Sequence, residues 1–320
     1  MKELNKQQQR RIAKRRHNTS SEPLNAVVIA HHGQDLLVEH QDGQQVRARA
    51  RRTVGRLTTG DQVSIREDGH QHWVIERIGK RKNLLLRPDA YGKDRPMAAN
   101  IDQVIVLIAP TPWMNPGVVE RTMISVFDLP AQPIIVLNKR DQLETLPTDE
   151  RNAIEAQLEQ WHTLGFEVCT ISAKHNQQVD SLKARLEGKQ TLLVGLSGTG
   201  KTTLTRALTP DAHAAEVRAL SSFNREGVHT TRTSTRYHVP GIAGFIIDAP
   251  GVRDFPLSNP SDAAIMQAFP DIQVQAQWCR FNDCRHLNEP HCAVLAALQD
   301  QTLCSRRYAL YQEIMQSRLD

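Results

Sequence analysis

GLSGTGKT, residues 195–202, follows the apolar run TLLV (191–194) and overlaps KTTLTRALT (201–209), which has helical spacing. The octapeptide fits G-x-x-x-x-G-K-[ST] completely, and a strand before it with a helix after it is the setting in which this pattern binds phosphate. Its glycines let successive backbone N–H groups turn toward phosphate oxygens at the positive end of the helix dipole. The stretch predicts a phosphate-binding loop in an α/β domain; the weaker alternative is a chance match in a glycine-rich loop.

Two loops that follow other predicted strands carry the residue types that recognise guanine. NKRD (138–141) follows the apolar run QPIIVLN (132–138), and SAK (172–174) ends FEVCTIS (166–172). A carboxylate at Asp141 accepts hydrogen bonds from both N1–H and the exocyclic amine of guanine, and adenine does not present two such donors. A site of this kind rejects the wrong base by roughly 10⁴-fold. The two loops predict a guanine site and disfavour an ATP-dependent kinase.

Individual roles follow from these loops. Asn138 braces the loop or reads the ring, the stem of Lys139 lies along the ring, and the Ala173 N–H donates to the guanine carbonyl. We expect the nucleotide to be contacted by Asn138, Lys139, Arg140, Asp141, Ser172, Ala173, Lys174, Gly195, Leu196, Ser197, Gly198, Thr199, Gly200, Lys201, Thr202, Thr203, Thr230, Asp248 and Gly251.

The segments after the phosphate loop carry candidate ligands for Mg²⁺ and for the γ-phosphate. DAPG (248–251) ends the run GFII, and EGVHTTRTST (226–235) lies between it and the phosphate loop. Lys201 reaches the β- and γ-phosphates, and the Gly251 N–H senses the γ-phosphate. An ordinary polar loop is the alternative for the threonine run. We expect Mg²⁺ to be held by Thr202, Asp248 and either Thr230 or Thr231, with Thr231 preferred.

The residue that would orient the attacking water is not the usual one. Val252 stands after Gly251, where many GTPases have a glutamine, and valine cannot hold water. His229 is the nearest polar substitute, although a loop histidine is commonly only a surface residue. We therefore expect unassisted turnover of roughly 10⁻⁴ to 10⁻² s⁻¹ and a partner that orders the switch. The expected catalytic residues are His229, Lys201 and Thr231.

The order of these motifs along the chain is base, base, phosphate, switch, switch, whereas ordinary small GTPases have phosphate, switch, switch, base, base. The same sheet cut at a different loop gives this order, which is possible because the termini of compact domains often lie close together. Strands alternate with helices throughout, which predicts a mainly parallel sheet. The remaining predicted strands are 101–109, 190–195 and 244–250, and the helices are 117–129, 148–165, 179–188 and 201–209.

The residues before this region predict a small barrel. Five short β-like runs separated by glycine-containing turns favour the five-stranded barrel that commonly binds oligonucleotides. Any small barrel with basic edge residues is the alternative. Arg47, Arg49 and Arg51 alternate, so a strand places them on one face, where solvent or phosphate would have to screen their charges. The runs are 26–30, 35–40, 44–50, 61–65 and 72–78.

Positive charge is concentrated in the N-terminal tail. The first twenty residues carry seven lysines and arginines against one glutamate, in a chain whose net charge is +5. Such a tail is typical of disordered segments that bind nucleic-acid backbones, and a tail that only aids solubility is the alternative. No apolar run reaches the length of a membrane span and no signal peptide is visible, so we expect a cytoplasmic protein.

A cysteine cluster lies near the C-terminus, after a helical stretch at 261–269 and before 293–317, whose apolar residues recur at helical spacing. Three thiols and one imidazole within fourteen residues are typical of a closed structural zinc site. Clustered buried thiols with a stray histidine are the alternative. Cys169 and Cys304 are expected to pack rather than to bind metal. The predicted zinc ligands are Cys279, Cys284, His286 and Cys292.

With these residues assembled, the chain resembles the RsgA (YjeQ) family of ribosome small subunit-dependent GTPases. The resemblance covers the barrel, RPMAANIDQVIVLIAP (95–110), and the ordered motifs NKRD, SAK, GLSGTGKTT, HTT, DAPG and the zinc spacing. It implies binding to the 30S subunit and its 16S rRNA late in assembly, GTP hydrolysis stimulated by the subunit, and His229 as the catalytic histidine. The chain departs from the family at Thr199 and Thr202 in the loop, and at Val228 and Arg232 in the switch.

We therefore expect a multidomain α/β protein with an OB-like barrel, a circularly permuted P-loop GTPase domain and a helical zinc-binding domain. The expected bounds are 1–22 for the disordered basic tail, 23–87 for the barrel, 88–256 for the GTPase domain and 257–320 for the zinc domain. The expected function is a GTPase that assists maturation of the small ribosomal subunit, binding GTP or GDP, Mg²⁺ and one zinc ion, and acting as a monomer. The alternative is an rRNA-binding assembly factor that uses GTP as a structural ligand.

Overall fold

The computed structural model describes residues 23–32, 35–69, 72–88, 93–210, 234–249 and 260–318. These residues form two compact units. The first contains the described residues up to Ile101 together with 188–190 and 234–249, and the second contains 102–187, 191–210 and 260–318. The predicted tail 1–22 and the predicted site residues His229, Thr230, Thr231 and Gly251 lie outside the described residues.

The first unit begins with a closed five-stranded barrel, as the sequence predicted. Neighbouring strands pair antiparallel, except that the third and fifth pair in parallel, and the fourth closes the barrel on the first. Val28, Val38, Val63 and Ile75 fill its interior and are fully buried. The strands are β1 (Ala26–His32), β2 (Asp35–His40), β3 (Gln45–Ala50), β4 (Gln62–Glu67) and β5 (Trp73–Ile78).

Strand β3 places its arginines outside the barrel, on one face. Arg47 and Arg49 are exposed on either side of the buried Ala48. The barrel itself supplies acidic partners, since Arg49 Nε lies 2.6 Å from Asp35 Oδ1 and an Arg51 guanidinium nitrogen lies 2.7 Å from Glu76 Oε1. Protein carboxylates therefore screen part of the charge that we had assigned to solvent or phosphate.

A β-hairpin that the sequence analysis missed follows the barrel. Its strands are β6 (Leu84–Pro88) and β7 (Asp94–Ala99), paired antiparallel. Ala99 N donates to Thr59 O at 2.9 Å, which holds the hairpin to the barrel. The pattern gave no signal for this hairpin because β6 has only three leucines before Arg87 and Pro88, and β7 has a proline after two charged residues. Strand β6 spans residues 87 and 88, between which we had expected the barrel domain to end and the next domain to begin.

The second unit contains a parallel sheet with the spatial order β10-β9-β8-β11. Every residue of β8 is buried, as expected for a strand covered on both faces. A 3-10 helix (Arg140–Thr145) follows β9. The strands are β8 (Gln103–Ile108), β9 (Gln132–Leu137), β10 (Glu167–Thr170) and β11 (Gln190–Val194), and the helices are α1 (Pro116–Asp128), α2 (Thr148–Thr163), α3 (Val179–Ala184) and α4 (Lys201–Leu208).

Four C-terminal helices complete the second unit. The stretch 293–317, expected to be helical throughout, is interrupted: Gln301 has φ 57°, and the Thr302 and Leu303 N–H groups both donate to Ala297 O. A left-handed residue ends an α-helix there, a local choice that apolar spacing does not reveal. The helices are α5 (Asp262–Ala268), α6 (Pro270–Ala276), α7 (Ala293–Gln299) and α8 (Ser305–Gln316). None of the described helices is both long and apolar enough to span a membrane.

A buried ion-pair network joins helix α8 to helix α1. Glu120 and Arg307 have fully buried side chains, and Arg307 Nη1 donates to Glu120 Oε1 at 2.7 Å. Arg307 also donates two hydrogen bonds of 2.8 Å to Asp271, and Arg306 donates to Glu120 from the solvent side. Ile124 of α1 belongs to the same apolar core as the C-terminal helices. The C-terminal helices are therefore packed onto α1, a helix that also packs on strands β8 and β9 of the parallel sheet.

We predict that Arg307→Met lowers the free energy of unfolding of the second unit by about 3 kcal/mol, because it leaves Glu120 and Asp271 without a buried partner. The expected loss of stability lies near the lower end of the range that is usual for breaking a buried ion pair, because Arg306 still reaches Glu120. Urea unfolding checks this. Arg121→Met is the matched control, since Arg121 joins the same two helices through the exposed Glu313 and should cost about 1 kcal/mol or less. Equal losses from the two changes would contradict the prediction.

Two further strands, β12 (Thr235–His238) and β13 (Phe245–Asp248), belong to the first unit. Strand β12 pairs antiparallel with β13 and, through Thr235 and Ala30, with β1 of the barrel. Sequence analysis predicted β13 but missed β12, whose residues TRYH are mostly polar. Strand β1 of the barrel is therefore hydrogen-bonded to β12, whose first residue, Thr235, is the last residue of the predicted switch segment 226–235.

A buried arginine holds this junction together. Arg236 of β12 has an 8 % exposed side chain; its Nε donates to Gln190 Oε1 at 2.9 Å, and its guanidinium lies 3.3 Å from the centroid of the Phe245 ring. Glu39 of the barrel lies 3.7 Å away. Burial lowers the pKa of Arg236 to about 10, which still leaves it charged at neutral pH.

Candidate functional site

The predicted phosphate loop joins β11 to α4 and is shaped by its glycines. Gly195 has φ 154° and Gly200 has φ 94°. A Cβ at Gly195 would lie 2.4 Å from Leu107 O, and one at Gly200 would lie 2.3 Å from Asn138 Nδ2. Both positions therefore require glycine, because the loop passes directly against the ends of two neighbouring strands.

One side chain connects all three predicted nucleotide loops of the second unit. Asn138, 2 % exposed at the end of β9, donates through Nδ2 to Thr199 O at 2.9 Å and accepts from the Ala173 N–H at 2.9 Å. The phosphate loop, NKRD and SAK are thus held side by side. Of the two roles weighed for Asn138, this geometry supplies the bracing one. The Ala173 N–H, expected to donate to guanine, is engaged with Asn138, so such a bond would have to share this donor.

Asp141 is positioned by the loop that follows β10. Ser172 Oγ donates to Asp141 Oδ1 at 2.5 Å, and His175 Nε2 lies 3.7 Å from Asp141 Oδ2. The hydrogen bond from Ser172 lowers the pKa of Asp141 below its ordinary value, against a smaller opposing effect of burial. The carboxylate is therefore ionised at neutral pH and acts only as an acceptor, as the recognition of two ring donors requires.

Two lysines bind backbone carbonyl groups in this region. Lys139, in a left-handed conformation with φ 60°, donates from Nζ to Thr111 O at 2.9 Å. Lys201 Nζ donates to Gly195 O at 2.6 Å and to Leu196 O at 2.8 Å. The Lys201 ammonium therefore lies within the predicted phosphate loop and brings positive charge where phosphate is expected, whereas the Lys139 ammonium lies at Thr111, outside the three predicted loops.

The remaining predicted residues in the described part of the chain lie at accessible positions. Arg140, Lys174, Ser197, Thr202 and Thr203 are exposed. Asp248, half-buried, is the last residue of β13 in the first unit, where it pairs with Thr235. Thr202 supplies a hydroxyl oxygen and Asp248 a carboxylate oxygen, the kind of hard ligands that Mg²⁺ prefers.

The predicted zinc ligands come together in one cluster. Their ligand atoms all lie within 4.8 Å of one another. Cys279 Sγ is 3.4 Å from His286 Nδ1 and 3.8 Å from Cys292 Sγ, and Cys292 Sγ is 3.5 Å from His286 Nδ1. Tetrahedral zinc with its usual bond lengths would separate two sulfurs by about 3.8 Å and a sulfur from a nitrogen by about 3.6 Å. The cluster is thus compatible with zinc, with Nδ1 as the histidine ligand.

Hydrogen bonds from neighbouring side chains hold the backbone around the cluster in place. Tyr308 of α8 donates its hydroxyl hydrogen to His286 O at 2.9 Å. Glu289 accepts backbone N–H bonds from Arg285 and Leu287 at 2.8 Å each. Burial raises the pKa of the Cys284 thiol to about 12, so this environment favours neutral thiols unless a cation compensates their charge. Cys169 and Cys304 are not part of the cluster among the described residues.

The sequence analysis missed several residues that shape the site. It gave no role to Thr111 or His175, and it did not foresee that the Thr199 carbonyl would accept from Asn138. Those partners stand 28 to 61 residues apart along the chain, and no local pattern reports such distances. The histidine beside Asp141 had a weak signal, since His175 directly follows SAK.

Comparison with known proteins agrees with this geometry. The sequence profile described as RsgA GTPase matches residues 78–258. Two similar relatives are named Small ribosomal subunit biogenesis GTPase RsgA. The protein of Pseudomonas aeruginosa strain LESB58 is 37 % identical over 91 % of this chain and 84 % of its own length. That of Saccharophagus degradans is 37 % identical over 91 % of this chain and 86 % of its own length.

Solved structures show the same fold. YjeQ from Thermotoga maritima has a TM-score of 0.73 at 24 % identity, covering 92 % of this chain and 98 % of its own. YloQ, described as a circularly permuted GTPase, has a TM-score of 0.71 at 24 % identity, covering 92 % and 95 %. The expected fold class is confirmed, and on the sequence matches this chain belongs to the RsgA GTPase family.

Proposed function

We propose that this protein is a Mg²⁺-dependent GTPase that binds the 30S ribosomal subunit and its 16S rRNA, assists late maturation of that subunit, and hydrolyses GTP to GDP and phosphate with stimulation by the subunit. The names of its relatives support the ribosomal role. The observation that carries the nucleotide assignment is the Asn138 side chain, which joins the phosphate loop to both guanine loops. We further propose that it acts in the cytoplasm as a monomer.

Recognition of the base falls to Asp141. Its ionised carboxylate accepts from the two ring donors of guanine, while Ser172 holds it in place. Asn138 keeps this loop against the phosphate loop, and Lys139 lies beside the ring. Because the phosphate loop alone does not distinguish ATP from GTP, this carboxylate decides the identity of the nucleotide.

Phosphate and water are handled by the phosphate loop, by Asp248 and by the predicted switch segment. Lys201 leaves its carbonyl partners to contact the β- and γ-phosphates, and the backbone N–H groups of 195–200 surround the β-phosphate. Thr202, Asp248 and a switch threonine, Thr231, would hold Mg²⁺, which neutralises charge on the phosphates. We assign orientation of the attacking water to His229. The cysteine cluster would hold one structural zinc ion.

Phosphate release with and without purified 30S subunits tests this function. We expect slow basal turnover of about 10⁻⁴ to 10⁻² s⁻¹ and at least about a tenfold increase with subunits, since ordering of a switch by a partner accelerates GTPases strongly. Deletion of residues 1–20 should weaken subunit binding and its salt dependence.

The second candidate function is an assembly factor that uses GTP as a structural ligand. It is favoured by Val252, which stands in place of a glutamine, and it predicts no stimulation of phosphate release by 30S subunits.

We predict that His229→Ala lowers subunit-stimulated turnover about 100-fold, because general-base or water-orienting side chains contribute on this scale. Affinity for GDP should be unchanged, since the residue acts on water. Single-turnover kinetics with saturating subunits measure the effect. His162→Ala, an exposed histidine of α2, is the control. Turnover that survives in the His229 variant would move the catalytic role to another residue.

A further inference from the structure

The loop that follows β10 is closed by backbone hydrogen bonds beside Asp141. Ser172 N donates to Gln177 O at 3.1 Å, and Gln177 N donates to Ser172 O at 3.0 Å, so the two ends of the loop lie side by side. Arg140 N donates to Ile171 O at 3.0 Å, which joins this loop to the segment that carries Asp141. The backbone of the loop is therefore held at a fixed place relative to the carboxylate.

This loop presents His175 to one oxygen of that carboxylate. His175 Nε2 lies 3.7 Å from Asp141 Oδ2, whereas Ser172 Oγ donates to the other oxygen, Oδ1, at 2.5 Å. The side chain of His175 is 48 % exposed and that of Asp141 is 28 % exposed. A separation of 3.7 Å is too long for a hydrogen bond, so Oδ2 accepts none from His175 in this arrangement. One carboxylate oxygen is bonded, and the other lies just beyond the reach of the imidazole.

A proton on the imidazole changes this balance. A histidine ordinarily gains its proton as pH falls through about 6.5. The hydrogen bond from Ser172 lowers the pKa of Asp141, so the carboxylate stays ionised at about pH 5.5 and above. An imidazolium donates from both ring nitrogens, and a shift of less than about 1 Å brings Nε2 of His175 within the distance of a charge-assisted hydrogen bond to Oδ2.

The other cations near the carboxylate keep their charge over this pH range. After the hydrogen bond from Ser172, the positive charges of His175 and Lys174 also lower the pKa of Asp141. Arg140 precedes Asp141 along the chain and is exposed, as is Lys174. Lysine and arginine side chains remain protonated between about pH 5.5 and about pH 8. Among these described neighbours, His175 is thus the one whose charge changes.

We propose that His175 is a positioning residue of the guanine site, whose protonation withdraws Asp141 Oδ2 from the guanine ring, so that the protein binds guanine nucleotides more weakly as pH falls from about 8 to about 5.5. This inference rests on the proposed function, since it requires Asp141 to recognise guanine. The neutral imidazole leaves Oδ2 to the ring donors, and the imidazolium competes with them.

The direction of the effect follows from the exchange of partners on Oδ2. Protonation of His175 strengthens the attraction between the ring and the carboxylate in the free protein. Guanine binding replaces that attraction, so binding releases part of the proton, and by linkage the affinity for the nucleotide rises with pH. Because both side chains are partly exposed, solvent screens their attraction, and the change in affinity is at most about fivefold.

Titration with fluorescent GDP in Mg²⁺ buffers from about pH 5.5 to about pH 8 tests this role. The β-phosphate of GDP also titrates in this range, but it does so with every variant, so the comparison between proteins carries the result. At the acidic end we expect GDP to bind the unmodified protein about three- to fivefold more weakly than it binds His175→Gln, and at pH 8 the two should agree within about twofold. His162→Gln, which replaces an exposed histidine of α2, is the matched control and should keep the full pH dependence.

Calorimetry in buffers of different ionisation enthalpy provides a second measurement. At about pH 6 the unmodified protein should release more protons on binding GDP than His175→Gln releases. Coincident pH profiles of the two proteins would overturn the proposal, as would tighter binding at acidic pH that requires His175. Melting temperatures show that the variants are folded.

Asp141→Asn separates failure of this role from failure of the proposed function. If Asp141→Asn binds GDP as tightly as the unmodified protein does, the guanine site lies elsewhere and the nucleotide assignment fails. If Asp141→Asn weakens GDP binding while His175→Gln leaves the pH profile unchanged, the guanine assignment stands and only the role of His175 is wrong.

Discussion

Replacement of Asp141 by asparagine is expected to weaken GTP binding about 1,000-fold, because two charge-assisted hydrogen bonds to the ring are lost at about 2 kcal/mol each. The asparagine amide donates where the carboxylate accepted. Xanthosine triphosphate presents a carbonyl in place of the exocyclic amine, so the variant should bind it more tightly than GTP. Titration of the protein with fluorescent guanosine and xanthosine nucleotides measures both changes.

The control for this experiment is a change at a neighbouring residue that leaves the carboxylate intact. Ser172→Ala removes the hydroxyl that holds Asp141 at 2.5 Å, so it should weaken GTP far less and leave the preference for guanine unchanged. It should also move the pKa of Asp141 upward, since that hydrogen bond is the main cause of the lowered value. An Asp141→Asn variant that still prefers GTP to xanthosine triphosphate would place the guanine site elsewhere.

Replacement of Cys292 by serine is expected to abolish zinc binding and to unfold the region around the cluster. Cys292 lies within 3.8 Å of two other predicted ligands, and structural zinc typically contributes about 10 kcal/mol or more of apparent binding free energy. Without it the packing of Tyr308 and Tyr311 against 285–286 loses its support. Metal analysis by mass spectrometry and limited proteolysis after residue 260 measure the two effects.

Cys304→Ser is the matched control for the zinc experiment. Cys304 precedes α8 as its N-terminal cap, a position that serine favours, so this change should keep one zinc ion and the native protease resistance. A Cys292→Ser protein with a full equivalent of zinc would show that the metal is held elsewhere. Loss of zinc without loss of protease resistance would show that the helices are stable by packing alone.

Local pattern was enough to predict the barrel and the parallel sheet. Alternation with glycine turns predicted β1 to β5 because one barrel face is buried, and continuous apolar runs predicted β8 because both faces are covered. Prediction failed for elements whose burial leaves no periodic pattern of apolar residues in the sequence. Strands β6, β7 and β12 are polar or contain proline, and the break at Gln301 is set by one backbone conformation.

The sequence by itself determined which chemical groups this protein has for its work: a glycine loop with its lysine, a carboxylate after a strand, and three thiols with one imidazole at metal-binding spacing. Only the tertiary structure decided how they are joined. Asn138 clamps loops 35 and 61 residues away, Glu120 receives Arg307 from 187 residues away, and the barrel pairs with β12 through Ala30 and Thr235. The physical reason is that motifs depend on short-range backbone geometry, whereas buried polar groups take whichever partners the packed chain brings within hydrogen-bond distance.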